Sequence, residues 1–360
     1  MSEGKLKIAI IGLNEGGRLL IEASRETGLF EIEAVADKDI NLVEKTAAEL
    51  KCSGYDDFRQ LITTTDSRLE RDKRVLFVAA DTHVCDEYIR MAMKKKFNVL
   101  KLPPAGRNFE EAAEFVRLGE EEKVIFSIAN TGRYSQSYLA LREILSQNKL
   151  EQVFLTTVFC TFDEPPHDTW HTDPKLSGGG VLLHNCYKII DQIVSNLGVA
   201  QQVYSLHTNQ AKDKQQRSYL TEDTAMVTLK FSDTLVGNIV TSRRDGMGPP
   251  QEFLRFFSKD MILTVNEKQL NIRDGQGEVT EFKEFDDTQL DRMIVLLKDF
   301  ALSVLSPEEQ KPSSTGRENL NNMAVIESAY LSSRTGFPEE PARILQMPDF
   351  LIAPKNLSHE

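Results

Sequence analysis

Apolar residues in the first third of the chain fall into short runs separated by stretches of helical spacing. The runs at residues 7–11, 31–36, 75–80, 98–100 and 124–129 read as strands, because short unbroken apolar runs suit strands buried on both faces of a parallel sheet. Between them, residues 18–23, 41–50, 86–95 and 110–121 repeat apolar side chains at helical spacing; in 41–50, Val43, Ala47 and Leu50 share one face. Such alternation of strand and helix predicts a parallel sheet with helices on both faces.

The rhythm changes past residue 130. A helix at 137–146 leads into strand-rich sequence at 152–162, 202–208, 225–231, 235–242, 252–257, 261–265, 269–272 and 279–285, with several short turn-like links. Short links of this kind join antiparallel strands. A helix at 181–197 interrupts the strands, and helices at 291–305 and 317–333 close the chain. A single core rarely grows past roughly 250–300 residues, so a chain of this length divides. The expected architecture is an α/β domain over 1–129, followed by an α+β domain over 130–360 built on a large, mainly antiparallel open sheet. With helices on one face, the other face of that sheet is solvated or covered by a second subunit. A homo-oligomer, dimer or tetramer, through the C-terminal sheet is the expectation.

Composition narrows the function class. The formal net charge of −12 argues against a nucleic-acid partner. The one basic run, Lys94 to Lys96, follows a helical stretch, where cations suit the unpaired carbonyls of a last turn. Four scattered cysteines without a CxxC pair fit reduced thiols in a cytoplasmic protein better than a disulfide framework or a zinc site. The N-terminus runs straight into a strand, with no cleavage site and no long apolar run, so neither export nor a membrane span is expected.

Gly12-Leu13-Asn14-Glu15-Gly16-Gly17 sits between the first strand and the first helix. That is the place of the GxGxxG dinucleotide fingerprint, which would make the N-terminal unit a Rossmann domain. Gly12 would make the tight turn and Gly17 the close helix–strand approach, while the helix N-terminus, with Glu15 in its first turn, faces a pyrophosphate. Asn14 replaces the middle glycine; asparagine tolerates unusual backbone angles, but its side chain takes up space. Asp37 closes the second strand, where a carboxylate accepts from ribose hydroxyls and repels a 2′-phosphate, favouring NAD over NADP. Lys38 follows it directly and would soften that preference.

Further segments line up in order: Val78-Ala79-Ala80-Asp81-Thr82-His83, Val99-Leu100-Lys101-Leu102-Pro103-Pro104-Ala105-Gly106, Trp170-His171-Thr172-Asp173-Pro174, Ser177-Gly178-Gly179-Gly180-Val181-Leu182-Leu183 and Ser332-Ser333-Arg334-Thr335-Gly336. In this order they resemble the glucose–fructose oxidoreductase/inositol dehydrogenase family, Gfo/Idh/MocA, over nearly the whole chain. The resemblance implies a Rossmann domain, an open-sheet substrate domain, frequent oligomerisation, and NAD(P)-dependent chemistry on a hydroxyl of a sugar, polyol or related molecule. It also implies a catalytic lysine in a Glu-Lys-Pro motif, but here Leu102 and Pro103 stand at the glutamate and the lysine. Lys101 lies two residues before Pro103, so in an extended segment it points to the same face, about 6–7 Å away. After the glycine run the family has Asp and His one helical turn apart, where this chain has His184 and Lys188. The expected catalytic set is therefore Lys101, His184 and Lys188. His184 titrates near the working pH if unperturbed; Lys188 would need its pKa lowered by burial or by a neighbouring cation. Clustered cations would suit an anionic substrate such as a sugar acid or a nucleotide sugar.

The resemblance puts Trp170 and His171 at the substrate cleft, with Tyr134 on a loop that reaches it. Ala80, Thr82 and His83 follow a parallel strand at its carboxyl end, where such sheets bind their ligands; His83 either contacts cofactor or caps the next helix. Tyr187, beside Lys188, could donate a proton but reads rather as packing or interface, and Asp191 reads as helix packing or capping. His167 and Asp168 have no metal-like partner set, and no HExxH is present, so no metal is expected. The leading expectation is an NAD-dependent oxidoreductase of a sugar, polyol or sugar acid with an altered proton-transfer site. The alternatives are a non-catalytic dinucleotide- or sugar-binding sensor or scaffold, and a non-redox enzyme with tightly held NAD.

Overall fold

The computed structural model describes residues 5–66, 73–147, 152–163, 169–243 and 248–346. Two sheets organise them. The first runs β3 (Ser53–Tyr55), β2 (Phe30–Ala36), β1 (Leu6–Ile11), β4 (Val75–Val78), β5 (Asn98–Lys101), β6 (Phe126–Ile128) in spatial order. All its pairings are parallel. Helices α1 (Glu15–Thr27), α2 (Ile40–Leu50), α3 (Phe58–Asp66), α4 (Thr82–Lys94) and α5 (Phe109–Glu122) alternate with the strands. The order reverses between β1 and β4, the switch point at whose strand carboxyl ends doubly wound sheets bind ligands.

The second sheet has the order β14 (Val279–Glu284), β13 (Gln269–Asp274), β12 (Met261–Val265), β11 (Gln251–Phe257), β7 (Leu155–Phe162), β10 (Val236–Arg243), β9 (Thr224–Lys230), β8 (Gln202–Thr208). Only β7 and β10 pair in parallel among these strands. The architecture is the expected Rossmann-type sheet joined to a mainly antiparallel open sheet. Alternation along the strands explains its two faces: Val158, Cys160, Val227 and Ile239 point to the helices and are buried. Helix α10 (Tyr187–Leu197) packs Ile189, Ile190 and Ile193 in that core, and α13 (Gly316–Thr335) adds Val325 and Ile326.

Local chemistry sets several boundaries. The side chain of Thr315 accepts from the Glu318 N–H, the Glu318 carboxylate returns to the Thr315 N–H, and Gly336 ends the helix left-handed at φ 76°, a reciprocal cap at one end and a glycine stop at the other. Helix α12 (Gln289–Leu305) begins with a similar box, Thr288 with Asp291. Although it follows the second sheet in sequence, α12 packs against the first: Leu296, Leu297 and Phe300 share a core with Leu6, Ile8, Ile10 and Phe77. The short β3 and α3 carry too weak an apolar pattern to stand out in the sequence.

One expected element divides. The helical pattern over 181–197 resolves into α9 (Val181–His184) and α10, with Asn185 and Cys186 between them. Short helices α7 (Thr169–Thr172) and α8 (Pro174–Ser177) precede the glycine run. His167 and Asp168 lie outside the described residues.

Candidate active site

The glycine-rich turn behaves as its positions require. Gly12 has φ +88°, and a Cβ there would lie 2.3 Å from the Ala80 nitrogen. A Cβ on Gly17 would lie 2.1 Å from the Gly12 carbonyl oxygen. Any side chain at either place would force strand and helix apart. Asn14 needs no special backbone: its φ of −61° and ψ of −173° are ordinary. Its side chain caps α1, with Oδ1 accepting from the Gly17 N–H at 3.0 Å and Nδ2 donating to the Ala79 carbonyl at 2.8 Å. The N–H groups of Glu15 and Gly16 precede the capped one, in a turn where helices have no internal acceptor for them. Asp37 folds over the turn: Oδ2 accepts from the Leu13 N–H at 2.7 Å and Oδ1 from the Asp39 N–H at 3.0 Å. Lys38 is exposed beside it. The δ-methyl of Leu102 lies over Gly16, 2.3 Å from where a Cβ would stand, so Gly16 leaves the room that Leu102 fills. A positive helix end, two close-approach glycines and an acidic strand end fit a dinucleotide.

Four residues expected at the site meet in one aromatic cluster. His83, in the first turn of α4 beyond Ala80 and the buried Thr82, stands over Trp170 with ring centres 4.7 Å apart. His171 stacks on Trp170 at 3.6 Å. His184 meets both Trp170 and His171 edge-on at 5.8 Å. The cluster spans the first domain's strand ends and the second domain's glycine-run loop. His184 Nε2 lies 3.1 Å from the Ser177 carbonyl oxygen; a carbonyl only accepts, so Nε2 carries the proton and Nδ1 the lone pair. Burial lowers the His184 pKa to about 3, with the charges of His171, Arg243 and Lys101 adding to the effect and the Ser177 carbonyl opposing it. Its expected titration near neutral pH is therefore corrected: His184 is neutral over the working range.

The glycine run positions α9. A Cβ on Gly179 would lie 2.0 Å from the Tyr330 hydroxyl, and one on Gly180 would lie 1.9 Å from the Glu222 carbonyl oxygen. The buried Glu222 carboxylate accepts from the Gly180 N–H at 2.8 Å, the Leu182 N–H at 3.0 Å and the Tyr330 hydroxyl at 2.9 Å. Burial raises its pKa. No local pattern marks Glu222 in the sequence, because its partners lie some forty residues upstream and over a hundred downstream.

The other two members of the expected catalytic set lie apart from the cluster. Lys101 is not displaced along the cleft; it is turned into the interior and is 2% exposed. Its Nζ donates to the Pro104 carbonyl at 2.6 Å and the Leu102 carbonyl at 3.1 Å, and burial lowers its pKa. The rule of two-residue alternation misleads here because all of β5 is buried on both faces. Lys188 does not share His184's surroundings, since the helix breaks between them. Its Nζ lies 2.9 Å from Glu252 and 2.9 Å from Glu267. Burial pulls its pKa down, but the two carboxylates outweigh it and hold the ammonium above the ordinary lysine value. Lys188 thus lacks the lowered pKa that proton transfer would need, and the expected cation cluster is corrected: one cation is sealed in, one is ion-paired, and His184 is uncharged. Lys188, Glu252, Glu267 and Thr161 line a cavity of about 400 Å³ against the second sheet.

Tyr134, expected near substrate, instead donates its hydroxyl to Asp299 on α12 at 2.7 Å. Tyr187 donates to Asn319 at 2.9 Å. Asp191 receives Arg133 at 2.7 and 2.8 Å and Asn322 at 2.8 Å, a buried network that ties α10 to α13 and to the exit of β6.

Comparisons with known proteins agree with this geometry. Residues 6–130 match the model of an oxidoreductase family with an NAD-binding Rossmann fold, and residues 138–262 match the GFO/IDH/MocA C-terminal domain. The chain belongs to the GFO/IDH/MocA family. Its N-terminal domain is accordingly an NAD-binding Rossmann domain of an oxidoreductase family. Among solved structures it is similar to levoglucosan dehydrogenase in complex with NADH and levoglucosan, at 14% identity and a TM-score of 0.81, covering 93% of this chain and 99% of that one. It is also similar to an oxidoreductase from Agrobacterium radiobacter in complex with NAD+, L-tartaric acid and magnesium (14% identity, TM-score 0.79, 94% and 99% covered). A third is the WlbA dehydrogenase from Bordetella pertussis in complex with NADH and UDP-GlcNAcA (14%, 0.77, 93% and 98%). No curated protein matches the sequence. Identities this low show a shared fold. Among the described residues, no His, Cys, Asp and Glu group is placed to hold a metal, and no helix is long and apolar enough to cross a membrane.

Within this GFO/IDH/MocA chain, the glycine-rich turn follows the carboxyl end of β1, and His83 of the aromatic cluster follows that of β4, the neighbouring strand. Where the family resemblance implies a Glu-Lys-Pro lysine, the chain has a proline turn held from beneath by Lys101.

Proposed function

We propose that the chain is an NAD-dependent oxidoreductase acting on a hydroxyl or carbonyl of a sugar-like molecule, with His184 managing the proton in place of a lysine. The meeting of His83, Trp170, His171 and His184 at the carboxyl edge of the dinucleotide domain carries this reading. Asp37 would hold the adenosine ribose and disfavour a 2′-phosphate, hence NAD over NADP. The turn of Gly12, Asn14, Glu15 and Gly17 would take the pyrophosphate, with Ala80, Thr82 and His83 bordering the nicotinamide half. Trp170 and His171 would pack against the substrate.

A bound nicotinamide supplies the hydride acceptor or donor. His184 Nδ1 accepts the hydrogen bond of the substrate hydroxyl. As hydride leaves the carbon, that hydroxyl becomes the O–H of a protonated carbonyl, a strong acid, so even a weakly basic imidazole suffices to take the proton. Lys188 stays protonated and orients Glu252 and Glu267 toward substrate hydroxyls. Lys101 supports the Leu102–Pro104 turn.

A second reading, a dinucleotide or sugar binder without turnover, is favoured by the sealing of Lys101 and the ion-pairing of Lys188. The two separate when the protein is offered NAD+ with neutral anhydrosugars, polyols and sugar acids while NADH absorbance is followed. Turnover that is lost in H184N, with NADH binding kept, supports the first. Binding without turnover of any of them supports the second. Full turnover in H184N removes His184 from the mechanism.

The outer face of the second sheet supports a homo-oligomer. Leu206 is 58% and Met226 56% exposed, and they pair across β8 and β9 in register with Val240 and Phe159. Four free cysteines support a cytoplasmic setting.

A further inference from the structure

Cys160 and Cys186, distant in sequence, come together in the fold. Cys160 lies in β7, and Cys186 lies in the junction between α9 and α10. Their Sγ atoms are 3.1 Å apart, and both residues are fully buried. Cys186 Sγ is also 3.0 Å from the Thr241 hydroxyl oxygen. Thr241 stands directly opposite Cys160 where β10 pairs with β7, so Cys186 is seated over that pair. Neither thiol takes part in the proposed proton step. The junction they mark separates His184, the last residue of α9, from Lys188, near the start of α10.

We propose that Cys160 and Cys186 form an oxidative modification site, a dithiol that closes to a disulfide and fastens the α9–α10 junction to β7. The oxidant is hydrogen peroxide or a low-molecular-weight disulfide. With a peroxide, the Cys186 sulfur, as thiolate, attacks one oxygen. The O–O bond breaks, an S–O bond forms, and the departing oxygen leaves as water. The Cys160 sulfur then attacks that sulfur, the S–O bond breaks, the S–S bond forms and a second water leaves. The two thiols lose two electrons and two protons, and the peroxide gains them. With a small disulfide, exchange gives the same product and releases two small thiols. The Thr241 hydroxyl is placed to donate to the Cys186 thiolate. Burial raises the Cys186 thiol pKa, so the reaction waits on opening of the contact between the junction and the sheet and is slow in the resting protein. It requires no turnover, and it stands or falls apart from the proposed dehydrogenase activity.

Cys52 and Cys85, in the first domain, are internal controls. The full chain is incubated with hydrogen peroxide, and separately with oxidised glutathione, up to just below its melting temperature. It is then quenched with iodoacetamide in denaturant and digested. The expected product is a peptide pair joined through Cys160 and Cys186, released by dithiothreitol, with Cys52 and Cys85 alkylated. In C160S, and in C160A should the serine variant not fold, Cys186 is alkylated and the cross-link is absent. Alkylation of all four thiols throughout, or a cross-link from Cys186 to Cys52 or Cys85 in place of Cys160, overturns the proposal.

Discussion

His184 donates its Nε2 proton to the Ser177 carbonyl at 3.1 Å, which leaves Nδ1 as the accepting nitrogen of the ring. The start of α9, the helix that carries His184, is held by Glu222, whose carboxylate accepts from the Gly180 and Leu182 N–H groups. H184N should lower kcat by about 100-fold or more, the usual contribution of a positioned acid–base group, with NADH affinity kept. Because the pKa of His184 is lowered to about 3, the acid limb of the rate should fall well below that of a histidine titrating near about 6.5. Rates measured from about pH 8 down to about pH 5 would show it; a limb near neutrality that vanishes in H184N would contradict the assignment.

Lys188 is a fixed cation, so its substitutions should act on stability and substrate affinity more than on proton transfer. K188M leaves Glu252, 14% exposed, without its ammonium, while Glu267 keeps Arg292 at 3.1 Å. The cost should be about 1–2 kcal/mol in urea unfolding, discounted from a buried pair for the 41% exposure of Lys188. K188R should recover most of it. A K188M enzyme with normal stability and a shifted pH profile would mean that Lys188 titrates after all.

Acid should destabilise the fold through its buried histidines. Burial lowers His184 to about 3 and His207 to about 4, whereas an unfolded histidine titrates near about 6.5. Folded pKa values below the unfolded one mean that the unfolded chain takes up protons first as pH drops. The stability present above about pH 6.5 is then lost as pH falls toward the folded values, by at most about 1.4 kcal/mol per pH unit for each histidine. Urea midpoints between about pH 7 and about pH 4 should fall in the wild type and fall less in H207N. Equal slopes in the two proteins would remove His207 from the account.

The exposed row on the second sheet makes a separate prediction. Charges placed there by L206E and M226E should split the proposed homo-oligomer into monomers without loss of secondary structure, as read by light scattering and circular dichroism. A wild type that is monomeric at high concentration would refute the interface.

Periodicity in the sequence carried most of the architecture, because buried parallel strands and alternating open-sheet strands leave distinct patterns. It could not carry the break at Asn185–Cys186, since apolar residues continue at helical spacing straight through it. The turn residues Gly12 and Gly17 were legible because backbone contact demands glycine. Lys101 and Lys188 were not, because the orientation of one depends on a strand buried on both faces and the state of the other on carboxylates from β11 and the β12–β13 turn. The resemblance put Trp170 and His171 at a cleft and left His83 as a cofactor contact or a helix cap; no sequence pattern joins the three into one stack.

The chain's one tryptophan, Trp170, sits within the cluster, so its emission reports directly on the site. Titrating NADH and NADPH while following energy transfer from Trp170 to the nicotinamide tests the central claim. Saturable transfer with NADH, much weaker transfer with NADPH, and a narrowed gap in D37S are the predicted results. Trp170 emission that NADH leaves unchanged, or a preference that ignores Asp37, would contradict a dinucleotide site facing this cluster.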